Sequence, residues 1–222
     1  MKKLIIAIDG PAGAGKSTVS KALAKKLGYT YIDTGATYRA VAWKALQIGV
    51  PLDDDQRLTE LAETSSIVLQ GEPDHLRVLI DDREVADLIR TQEVSEATSI
   101  ISTISGVRQA LVEQQRRMGQ SGGVVLEGRD IGTQVLPHAD VKFYLDANPA
   151  IRAQRRWVEE RARGRALTLE QALREVEERD RRDSTRADSP LRRADDAIYI
   201  DSSGKSIEEV VDEMLEFIRR QG

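Results

Sequence analysis

The chain has no cysteine, which excludes disulfide bonds and thiol chemistry. That composition suits a reducing compartment, and a cytoplasmic location is expected. Histidine occurs only as His75 and His138. The two are far apart in sequence, form no metal-site or catalytic-triad pattern, and are expected on the surface. No segment approaches the ~18 apolar residues of a membrane helix, so no membrane partner is expected. The opening MKKLIIAI has the outline of a leader, but its apolar run is short and Asp9, Gly10 and Pro11 end it. The excess of one charge sign is also small. A net charge of −4 and a pI of about 5.4 argue against a general polyanion binder, and no nucleic-acid partner is expected.

What is present is enough for a core. Of 222 residues, 40% are hydrophobic, and the length lies between one average domain of roughly 150 residues and two. One α/β unit with insertions is expected. Leu4–Ile8 is wholly apolar, the mark of a strand buried on both faces. Tyr29–Ile32, Gly123–Leu126, Val141–Leu145 and Ala197–Ile200 read as four more strands. Helices are expected from about Lys16 to Gly28, over Gly35–Gly49 and over the amphipathic Ser206–Arg220. This alternation predicts a five-stranded parallel sheet with helices on both faces.

Two stretches break the rhythm. Ser66–Gln70, Leu76–Asp81 and Arg83–Val85 read as short strands joined by turns at Gly71–Asp74 and Asp81–Asp82. Tight turns impose antiparallel pairing, so these strands are expected outside the parallel sheet, as an insert. Arg152–Arg193 holds 13 arginines, no lysine and nine acidic residues, a local basic excess in an acidic protein. It reads as two helices joined near Gly164 and laced by i,i+4 pairs such as Glu175–Arg179. Trp43 and Trp157 are expected to pack, and Asp53-Asp54-Asp55 to open a helix.

Gly10-Pro11-Ala12-Gly13-Ala14-Gly15-Lys16-Ser17-Thr18 fits G-x-x-x-x-G-K-[ST] between a strand and a helix. Small residues let backbone N–H groups turn inward around phosphate oxygens, and the helix N-terminus adds partial positive charge. Lys16 can reach the β- and γ-phosphates, and the Ser17 hydroxyl can ligate Mg²⁺. A nucleoside triphosphate, ATP, is therefore the expected donor. A small-molecule kinase, a switch GTPase and an ATPase acting on nucleic acid all use such a loop. The guanine-reading N/T-K-x-D motif of a GTPase is absent. An RNA-dependent ATPase using the arginine-rich stretch stays as the rival.

The acceptor is indicated further along. Asp33-Thr34-Gly35-Ala36-Thr37-Tyr38-Arg39 follows the second strand, and Glu127-Gly128-Arg129-Asp130-Ile131-Gly132-Thr133 follows the third strand of the parallel sheet. Strand ends of such sheets are where ligands bind. Arg39 and Arg129, at two neighbouring strand ends facing a phosphate loop, would repel one another without an anion between them.

GPAGAGKST, DTGATYR, IRTQEV (Ile89–Val94), EGRDIGT and RDRRDSTR (Arg179–Arg186), in this order over nearly the whole chain, resemble the bacterial cytidylate kinases of the nucleoside monophosphate kinase family. The resemblance implies a three-layer P-loop NTPase fold in a single kinase domain. Residues 1–50, 105–148 and 194–222 would form its core, 51–104 an antiparallel β insert in the monophosphate-binding part, and 149–193 a helical lid with the arginine-rich helices. It implies transfer of the γ-phosphate of ATP to CMP or dCMP with Mg²⁺, giving ADP and CDP or dCDP, a step of pyrimidine nucleotide metabolism. By the same resemblance Gly10 to Thr18 bind ATP. Thr34, Arg39 and Arg129 would hold the CMP phosphate, and Ser99, Arg108 and Asp130 would face the cytosine. Arg179 and Asp183 would reach the ribose, Arg186 the phosphates, and Arg155 would belong to the lid closing over ATP. Lys16, Arg129, Arg155 and Arg186 are thus the charges expected to serve the transfer. Glu127 stands where aspartate is common, ending the strand that serves Mg²⁺ indirectly. A monomer is expected.

Overall fold

The computed structural model describes residues 3–221; Met1, Lys2 and Gly222, at the ends of the expected core, lie outside the described residues. In chain order the strands are β1 (Ile5–Asp9), β2 (Thr30–Asp33), β3 (Ile67–Gln70), β4 (Arg77–Ile80), β5 (Arg83–Glu84), β6 (Val124–Gly128), β7 (Val141–Asp146) and β8 (Ile198–Asp201). The helices are α1 (Lys16–Leu27), α2 (Thr34–Ile48), α3 (Asp55–Thr64), α4 (Gln92–Ile101), α5 (Ser105–Gly119), α6 (Pro149–Ala162), α7 (Leu169–Thr185) and α8 (Ile207–Gln221).

The five expected strands pair in the order β2-β6-β1-β7-β8, all parallel. Strand pleating sends alternate side chains to opposite faces. Ile6, Ile8, Val125 and Phe143 meet Val19 and Leu23 of α1 and Val211 and Met214 of α8. Ala7, Ile32 and Leu126 point the other way, against Val112 of α5 and the turn holding Ile131 and Val135. Both faces are covered, which is why the strands carry no polar stripe. Chain order reverses around β1, so the loop leaving β1 opens at the switch point where α/β sheets bind ligands. Gly28 and Gly49 cap α1 and α2 in the left-handed region at φ 65° and 69°.

The insert forms the antiparallel sheet β3-β4-β5. Its glycine-free turn works because Asp81 and Asp82 both take positive φ, 48° and 64°, a region a short acidic side chain tolerates. Asp81 also accepts from the Ser66 amide at 2.9 Å and pairs with Lys44 at 2.6 Å. Asp54 caps α3 by accepting from the Arg57 amide. The start of α3 falls where Asp53-Asp54-Asp55 was expected to open a helix; helices α4 and α5 were not among the sequence expectations. The apolar residues of all three merge into one core with α2: Leu58, Val94, Ile101 and Leu111 lie with Val41, Trp43, Val78 and Ile80. Trp157 is half-buried, and both histidines are exposed.

α6 and α7 lie together, with Gly164 turning between them at φ 81°. One expected pair does not form. Glu175 binds Arg165 at 2.6 Å rather than Arg179, because the packing of α7 on α6 brings the connecting segment to it. Among the described residues no helix is long and apolar enough to cross a membrane.

Candidate active site

The loop after β1 is held in a space that only glycine fits at two points. A Cβ on Gly10, at φ 152°, would lie 1.9 Å from the Leu145 carbonyl oxygen, and one on Gly13, at φ 74°, 2.8 Å from that of Arg152. No side chain caps the start of α1, so its first N–H groups are open to an anion. Lys16 lies buried across the loop and donates to the Pro11 carbonyl at 2.7 Å. Burial, with Arg129 and Arg179 adding to it and Glu127 opposing, depresses its ammonium to about 7.

Carboxylates end the strands beside it. Asp9 is buried and accepts from the Ile131 and Gly132 amides at 2.8 and 2.7 Å. This ties the loop after β6 to β1, and burial raises the Asp9 carboxyl to about 6. Asp33 and Glu127 face one another in the parallel register of β2 and β6. Glu127 is raised by burial and then by Asp33, with Lys16 opposing; its carboxylate accepts from the Tyr31 hydroxyl and hydrogen-bonds Ser17. Burial and the Glu127 charge keep the Tyr31 phenol protonated.

Across the cleft stand the arginines. Arg39 pairs with Asp33 at 2.6 Å, and Arg129 with Asp183 at 2.8 Å. Burial works against the Asp183 carboxylate, but Arg129, Arg179 and Arg186 hold it below its ordinary range. Arg108 binds Asp130 at 2.5 Å; Arg186 lies 3.6 Å from Asp130 and 3.8 Å from Asp183. Arg179 has no anion within 4 Å among the described residues. Loss of hydration, then the charge of Arg129, lower its pKa to about 10; Asp183 opposes, and Arg156 and Arg39 add to the repulsion. Among the described residues four buried polar atoms beside this cluster have no hydrogen-bond partner: the Tyr38 hydroxyl, Arg108 Nε, Arg182 Nε and Arg186 Nη2. Buried groups of this kind are costly unless a ligand satisfies them.

A cleft of about 1170 Å³ joins these parts. Lys16, Ser17, Thr18, Thr34, Arg39, Ser99, Arg108, Arg129, Asp130, Arg155, Arg179, Asp183 and Arg186 all line it; Gly10 and Pro11 lie beneath, in the root of the loop. The Thr34 hydroxyl donates to the Glu127 carbonyl at 2.6 Å, and Ser99 accepts from Arg182 at 2.7 Å. Arg155 lies along the loop, donating to Ala14 and Ser202 carbonyls at 3.2 and 2.8 Å. Sequence reasoning missed Asp9, Tyr31, Tyr38, Arg152, Arg156 and Asp180. Tyr38 and Asp180 sit inside quoted motifs and could have been found there. Arg152 and Arg156 carry no mark among 13 arginines.

A glycine loop at the mouth of the central strand, opening on a cation-ringed cleft, defines a P-loop phosphotransferase. The shikimate kinase from Bacteroides thetaiotaomicron shares the fold, with a TM-score of 0.52 at 14% identity over 98% of this chain and 99% of that one. The family model for cytidylate kinase matches residues 6–220. The cytidylate kinase of Geobacter sp. (strain M21) is 48% identical over 218 residues, 98% of this chain and 94% of its own. That of Bacillus subtilis (strain 168) is 46% identical over 220 residues, 99% and 98% of the two chains. The chain belongs to the cytidylate kinase family.

Proposed function

We infer that the protein transfers the γ-phosphate of ATP to CMP, giving ADP and CDP, and that dCMP is a second acceptor. Within the site one observation supports this most directly. Lys16, Arg39, Arg129 and Arg179 converge between the donor loop and the pocket of Asp130, and Arg179 has no anion of its own. Phosphoryl transfer asks for two anionic substrates held in line and for dispersed positive charge, with no strong general base. Lys16 and the amides from Gly10 to Thr18 hold the donor. Thr34, Arg39 and Arg129 hold the acceptor phosphate, Arg179 and Asp183 the ribose, and Arg186 and Arg155 add charge beside the phosphates.

The residues present fit a magnesium ion. The Ser17 hydroxyl faces the cleft with the buried Glu127 carboxylate hydrogen-bonded behind it, an oxygen set suited to a hard cation. Ser17 would ligate the ion, and Glu127, held by Tyr31, would orient Ser17. When bound, Mg²⁺ neutralises charge on the β- and γ-phosphates. The insert at 51–104 and the lid at 149–193 are the moving parts, closing to exclude water that would otherwise take the phosphoryl group. The protein works as a cytoplasmic monomer. A coupled ADP-release assay over a panel of nucleoside monophosphates tests the reading. ATP turnover stimulated by RNA and indifferent to CMP would overturn it.

Base choice follows from hydrogen-bond sense. Cytosine offers an N4 amine beside N3 and O2 acceptors, which Asp130 and Arg108 can meet. Uracil puts O4 against the carboxylate and an N–H against the guanidinium. Each buried group left unpaired costs about 1–3 kcal/mol. In Asp130→Asn the amide can turn its NH₂ toward O4, so the ratio of kcat/KM for CMP over UMP narrows by about tenfold. An unchanged ratio removes Asp130 from base reading and leaves it as a strut for Arg108.

A further inference from the structure

One ion pair in the lid's root, a buried arginine with a half-buried aspartate, serves neither substrate directly. Arg152 of α6 is 5% exposed. Its guanidinium donates to the Ala147 carbonyl at 2.9 Å and the Ala12 carbonyl at 3.0 Å, and it pairs with Asp180 of α7. Asp180 in turn accepts from the Ala12 amide at 3.1 Å. Both polar groups of the Ala12 residue, in the middle of the donor loop, are thus held by one ion pair. The backbone of α6 is also tight against the next residue, since a Cβ on Gly13 would meet the Arg152 carbonyl at 2.8 Å. Asp180 stands between Arg179, one residue before it, and Asp183, three residues after it and therefore on the neighbouring turn of the same helix face.

We propose that Asp180 and Arg152 are a positioning pair that couples the two nucleotide sites, by fixing the donor loop to the helix that presents the acceptor-binding Arg179 and Asp183. The proposal rests on the roles inferred above for those two residues. A shift of α7 as its cations meet an acceptor moves Asp180, and Asp180 cannot move without turning the Ala12 peptide or breaking its bond to Arg152. The distal part of the lid is tied differently, by Glu160 and Glu175 to Arg165, so closure there can proceed while the root stays pinned to the loop. Coupling between binding sites is reciprocal: ATP must raise the affinity for CMP by the same factor that CMP raises the affinity for ATP.

The test is calorimetric titration of CMP into the protein with Mg²⁺, alone and with saturating β,γ-imido-ATP, and the reverse pair. In the parent the two nucleotides strengthen one another by about fivefold or more. In Asp180→Ala each nucleotide alone binds within about threefold of the parent, the mutual factor falls to within twofold of unity, the KM for CMP at saturating ATP rises by about the factor lost, and kcat drops by about 10²-fold, the effect of a misplaced loop. Asp180→Asn keeps an acceptor for the Ala12 amide but loses the charge facing Arg152, and falls between the two. It also decides the matter if Asp180→Ala does not fold. An unaltered mutual factor in the variants, or none in the parent, overturns the proposal, as does a loss of each separate affinity that merely follows a lower Tm. CMP-dependent ADP release by the parent is read separately, so a failure of the assigned reaction is distinguishable from a failure of the coupling.

Discussion

Lys16→Met is expected to fold normally and to lose phosphoryl transfer by at least about 10³-fold in kcat, the scale of removing a charge aimed at the transferring group. Lys16 touches the loop through one bond to the Pro11 carbonyl and no apolar core, so its loss leaves the sheet intact. A residual activity within tenfold of the parent would sink the assignment. A second signature separates this lysine from an ordinary phosphate contact. Burial and the neighbouring arginines bring its pKa to about 7. Above that pH the ligand-free protein holds Lys16 largely neutral, while triphosphate favours the ammonium. ATP binding near pH 8 therefore takes up a proton, and ATP affinity weakens as pH rises above about 7. Titration in two buffers of different protonation enthalpy reads the uptake directly. Lys16→Met removes it; uptake that persists in the variant assigns the proton elsewhere.

Arg179→Ala is expected to separate function from stability. Arg179 has no anion within 4 Å among the described residues and is repelled by Arg129, Arg156 and Arg39. Its removal relieves that repulsion and forfeits the smaller attraction of Asp183, so the ligand-free protein melts no lower than the parent. The same change removes a charged contact to the acceptor, and kcat/KM for CMP falls by about 10–100-fold, with ATP binding little altered. Arg129→Ala is the contrasting case. It breaks the ion pair with Asp183, which lowers stability by about 3 kcal/mol as well as weakening CMP. Melting curves and titrations on the two variants settle the point. A fall in Tm of more than about 2 °C for Arg179→Ala would show that the residue is structural.

The parts of this protein that its sequence determines are those made by neighbours in the chain. Five apolar runs become the five parallel strands, with every end within two residues of its expected place. Gly28 and Gly49 stop their helices because nothing but a left-handed residue ends a helix cheaply there. The loop from Gly10 to Thr18 is readable from spacing, because a backbone cradle for phosphate needs small residues, then lysine and a hydroxyl, in one short segment. Even the Asp81-Asp82 turn follows from two adjacent residues that tolerate positive φ.

What the sequence could not determine depends on contacts between distant segments. Helices α3, α4 and α5 bury their faces in a core shared with α2, and their patterns gain meaning only once that partner is in place. Tyr31 reads as one more strand residue; the pairing of β2 with β6 in the register Asp33 to Glu127 is what sets its hydroxyl on a carboxylate. Along Arg152–Arg193 most arginines, Arg179 among them, have an acid three or four residues away on paper, while Arg152 and Arg165 have none. Packing of α7 on α6 gave Glu175 to Arg165 and Asp180 to Arg152, and so left Arg179 facing the cleft unpaired. Local spacing says which charges could meet, but an ion pair in a folded chain goes to whichever partner the packing brings within reach. In this protein that choice leaves Arg179 facing the cleft with no anion within 4 Å among the described residues.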